Sequence, residues 1–80
     1  MSALEIRSFR EKILNAATSN LEFAAAIKIL DDYKNNGWTK DLMYAELMRI
    51  SESFPSHEDY IYDLMDCVVG FCSPHMKIFD

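Results

Sequence analysis

The sequence predicts an all-α fold, a small antiparallel bundle of about four helices, and three observations carry the prediction. Apolar residues recur at helical spacing in four successive segments. The two Gly and two Pro residues fall where those helices should stop. No run alternates cleanly between apolar and polar residues, and Val occurs only at positions 68 and 69, so strand signals are absent.

The first helix is expected to start at Ser2, whose hydroxyl can cap it while Glu5 reaches back; the same capping-box spacing recurs at Ser8 and Glu11. Ile6, Phe9, Ile13 and Ala17 form its inward stripe, with Leu14 beside it. Thr18-Ser19-Asn20 interrupts the pattern and offers an N-cap for a second helix, which buries Phe23, Ala26, Ile27, Leu30 and Tyr33. Asn35-Asn36-Gly37 ends it, because these residues tolerate left-handed backbone and Gly suits the position just past a helix. Thr39 caps a third helix carrying Leu42, Met43, Leu47 and Ile50, flanked by Met48. Phe54-Pro55 stops it, since proline disfavours helical geometry in the preceding residue. Ser56 is expected to cap the fourth helix, with Ile61, Leu64, Met65, Val68, Phe71 and Cys72 in its stripe and Gly70 inside it. Ser73-Pro74 closes that helix and leaves residues 74–80 as a short tail.

Eighty residues and 9.3 kDa allow a single helical domain, 1–80. Surface scaling gives about 5,000 Å² exposed when folded against about 13,500 Å² for the extended chain, enough burial for one core with little margin. A multidomain enzyme is excluded by size. The start Met-Ser-Ala-Leu-Glu-Ile-Arg lacks the basic region and apolar run of a signal peptide, and no stretch approaches the roughly 20 apolar residues of a membrane span. Cys67 and Cys72, five apart on one helix, point about 140° apart and are not expected to bridge. A cytoplasmic chain with reduced thiols is the expectation.

Charge excludes further classes. The formal net charge is −5, which repels phosphate backbones and anionic lipid, so neither nucleic acid nor membrane is expected as a partner. Residues 1–40 carry six basic and five acidic side chains, whereas residues 41–80 carry two basic and eight acidic. Asp59, Asp63 and Asp66 stand at i, i+4 and i+7 on the fourth helix, and no Lys or Arg occurs between Arg49 and Lys77. Tyr60 and Tyr62 flank two of them, with Tyr44 on the third helix a further candidate neighbour. Such a stripe is either a solvated face or a surface for a basic partner, with carboxylates for steering and aromatic area for residence time.

Catalytic and metal chemistry find little support. Cys72-Ser-Pro-His75 has a ligand-like spacing, but Cys67 points elsewhere and His57 lies roughly 20 Å away along the helix. Cys72 with His75 as nucleophile and base has no visible orienting third group. There is no Gly-rich phosphate loop and no basic patch with aromatic interleaving; Arg7, Arg10 and Lys12 are expected to meet the acidic helix or solvent. No enzymatic activity, metal or cofactor is expected. Trp38 is read as a hydrophobic staple toward Met43, and Ile78 and Phe79 as docking on the bundle. Self-association through Trp38, the fourth helix or the Ile78-Phe79 tail, giving a homodimer, is the competing expectation.

The stretch Pro55-Ser56-His57-Glu58-Asp59-Tyr60-Ile61-Tyr62 resembles the Pro-Ser-x-x-Asp-x-Ile-Tyr stretch of bacterial immunity proteins for nuclease-type colicins. The resemblance implies a distorted four-helix bundle whose Asp and Tyr belong to a toxin-binding surface; by position these are Asp59 and Tyr62. That family continues with a second Tyr and a Pro, giving a very short third helix, whereas here Asp63-Leu64-Met65 prolongs an amphipathic helix. The expected function is a non-enzymatic protein-binding module, most concretely an inhibitor that neutralises a basic, nuclease-like toxin. Asp59, Tyr60, Tyr62, Asp63 and Asp66 would make its surface. A self-associating structural or regulatory helical protein is the alternative.

Overall fold

The computed structural model describes residues 3–70 and 78–79. Four helices, α1 (Ala3–Thr18), α2 (Phe23–Asn35), α3 (Lys40–Ser53) and α4 (Glu58–Val69), account for most of them. A single 3₁₀ turn, Pro55–His57, joins α3 to α4, and there is no strand among the described residues. The Cα extents of 28 × 27 × 18 Å place the helices in two layers, since one helix with its side chains is about 10 Å thick. The most extensive helix–helix contact is that of α3 with α4.

Both early turns close by the same local chemistry. At the end of α2, Gly37 adopts φ 101°, its N–H donates to the Lys34 carbonyl and the Trp38 N–H donates to the Tyr33 carbonyl. This is a Schellman ending, which satisfies two of the otherwise unpaired terminal carbonyls. Asn20 does the same for α1 at φ 53°, with Asn20 N–H on the Ala17 carbonyl and Leu21 N–H on the Ala16 carbonyl. Thr18-Ser19-Asn20 therefore ends α1 rather than capping α2. The Thr18 and Ser19 hydroxyls turn back to the Asn15 carbonyl, and α2 starts after Glu22 with no side-chain cap.

Thr39 caps α3 as its position suggests, its hydroxyl accepting from the Leu42 N–H at 3.2 Å. The ends of α4 differ from the sequence expectation. Ser56 lies within the 3₁₀ turn, and α4 begins after His57 without a side-chain cap. The chain's preset φ at Pro55 drives that turn, whose His57 N–H donates to the Phe54 carbonyl. Gly70 is not inside α4 but ends it, at φ 92°, with its N–H on the Asp66 carbonyl. A residue lacking Cβ takes that conformation without strain, so the helix stops there. Phe71, Cys72 and the Ser2 cap lie outside the described residues.

The core draws Phe9 and Ile13 from α1, Ala26, Leu30 and Tyr33 from α2, Met43, Leu47 and Ile50 from α3, and Ile61, Leu64, Met65 and Val68 from α4. Trp38, from the α2–α3 connection, completes it at only 2% exposure. Its ring lies 4.5 Å from that of Phe9, and Tyr33 meets both rings edge-on at 5.0 and 5.2 Å. Ile78 is likewise buried, and its N–H donates to the Cys67 carbonyl at 3.3 Å. Phe79 is half-buried under the Lys34 ammonium. Ile78 and Phe79 therefore dock on the bundle, as the sequence suggests, and Trp38 is buried with them.

Candidate protein-binding surface

Helical geometry places Tyr62, Asp66, Asp59 and Asp63, in that angular order, within an arc of about 100° on α4. All four are exposed, Tyr62 by 45%. The opposite side of the same helix carries Ile61, Leu64 and Val68 into the core, so the packing of α4 on the bundle holds the acidic arc outward. The Arg10 and Arg49 ion pairs close on Glu46, and no ion pair among the described residues reaches Asp59, Asp63 or Asp66. Three carboxylates thus share one helix face without a countercharge from the described residues. Asp59, in the first turn, interacts favourably with the helix dipole, whereas Asp66 near the other end does not. The i, i+4 repulsion between Asp59 and Asp63 costs a few tenths of a kcal/mol.

Tyr60 does not join this arc. It stands about 100° from Asp59 on the wheel, is half-buried, and its hydroxyl donates to the Leu21 carbonyl at 2.9 Å. Burial pushes its phenol pKa up from 10.0. Tyr60 fastens α4 to the α1–α2 connection, which leaves Tyr62 as the aromatic on the acidic arc. Tyr44 is half-buried on α3.

Sequence reasoning does not single out one buried, doubly paired charge, Glu46. Glu46 is 2% exposed, with Oε1 accepting from Arg10 Nε at 2.8 Å and Oε2 accepting from Arg49 Nη1 at 3.1 Å. Its place at i+3 from Met43 and i−4 from Ile50, inside the apolar stripe of α3, was the available signal. Arg10 consequently meets α3 instead of the acidic helix, and Lys12 sits 5.4 Å above the Tyr33 ring. Beside the Arg10–Glu46–Arg49 triad, an open groove of about 560 Å³ runs between α1 and the end of α3, with Leu14, Ile50 and Phe54 on its walls.

No group of three His, Cys, Asp or Glu side chains able to hold a metal ion occurs among the described residues. Cys67 is buried, while Cys72 and His75 lie outside the described residues. No described helix is long and apolar enough to cross a membrane. Comparisons with protein-family models, curated proteins and solved structures find no match to this chain.

Proposed function

We propose that this protein is a non-enzymatic inhibitor of the immunity type, acting in the cytoplasm on a protein with a basic surface, most concretely a nuclease toxin. The observation that carries the reading is the exposed arc Tyr62–Asp66–Asp59–Asp63, whose carboxylates have no cationic partner among the described residues. The stretch resembling nuclease-colicin immunity proteins supplies two members of that arc, Asp59 and Tyr62. Carboxylates clustered on one face accelerate encounter with a cationic surface, and a tyrosine among them adds contact area that slows release. Inhibition would follow from occupation: a phosphate-binding surface covered by aspartates is closed to nucleic acid both sterically and electrostatically.

The test compares the wild-type chain with the D59N/D63N/D66N variant as bait in a lysate of the native cell. The wild type should retain a basic protein whose nuclease activity falls on adding free bait, and the variant should do neither. Raising salt from low to physiological levels should slow association several-fold. Equal capture by wild type and variant, or a captured protein whose nuclease activity is absent or unaffected, would overturn the proposal.

A further inference from the structure

We draw no further inference here: the strongest candidate, the groove between α1 and the end of α3, has Arg10 and Arg49 already engaged by Glu46 and the exposed Glu11 and Glu52 on the same walls, so its charges select no occupant and nothing in the structure shows what covers it.

Discussion

Glu46 illustrates how one residue can be costly and yet well accommodated. A carboxylate at 2% exposure is tolerable because both oxygens accept from guanidinium groups. The arginines keep much of their own hydration, with side chains 46% and 66% exposed. Arg10→Ala should therefore destabilise the fold by about 2 kcal/mol, read as a lower urea midpoint at unchanged slope, because it strips a charged hydrogen bond from a buried acceptor. Glu46→Met removes the buried charge and leaves two arginines free to hydrate, so it should cost less than Arg10→Ala. The reverse order would show that the triad is a net source of stability. Tyr60 gives a second residue-scale expectation. Its folded pKa is raised above the unfolded value, so the folded state holds the proton more tightly. Its contribution is fully present below pH 10 and is lost as pH rises through the folded pKa. The alkaline decline in melting temperature should be shallower in Tyr60→Phe than in wild type.

The helix ends are where reading and structure part, and the reason is local. Positions whose side chains act alone were legible: Gly37 past α2, Thr39 before α3 and Pro55 after it each have one dominant conformational preference. Asn20 and Ser56 were not, because Ser and Asn serve at either end of a helix and only the neighbouring turn decides which. Apolar periodicity runs past Gly70 and so carries α4 beyond it, because periodicity is blind to a left-handed φ. The candidate site divides in the same way. The arc of Asp59, Asp63 and Asp66 and the offset of Tyr60 from it both follow from spacing on a helix, whereas the bond that holds Tyr60, to Leu21 39 residues away in sequence, does not. Gly37→Ala should cost about 1–2 kcal/mol. An added Cβ would meet nothing within 4 Å, so the whole loss is backbone strain and calorimetry should find no compensating repacking. Thr39→Ala should cost about 1 kcal/mol through loss of the cap on Leu42 N–H, with the fraying confined to the first turn of α3 by amide exchange.

Across the whole molecule, charge and burial are organised in opposition. The described cationic side chains are mainly on α1, α2 and α3, and the arginine pair closes on the buried Glu46. The acidic arc of α4 is left to water. Such an arrangement costs stability, since like charges on one helix repel whether or not a partner is present; on the proposed reading that cost serves recognition. The D59N/D63N/D66N variant should consequently melt slightly higher than wild type at low salt, by about 1–3 °C, and the difference should shrink as salt is added. If the variant instead melts lower, the carboxylates belong to the fold's own stabilisation and not to a surface held ready for another molecule.

The single tryptophan gives this arrangement an optical consequence. Trp38 is in ring contact with Phe9 of α1 and Tyr33 of α2, and its indole N–H donates to Glu5 at 3.4 Å. Its emission therefore comes from one chromophore wedged where α1, α2 and the start of α3 converge, on elements other than the acidic arc. Departure of α1 would admit water to the indole and shift its fluorescence to the red. Events at Asp59–Asp66 that leave the bundle intact would not. The chain thus carries its own label-free gauge for telling the proposed binding at α4 from loosening of the core.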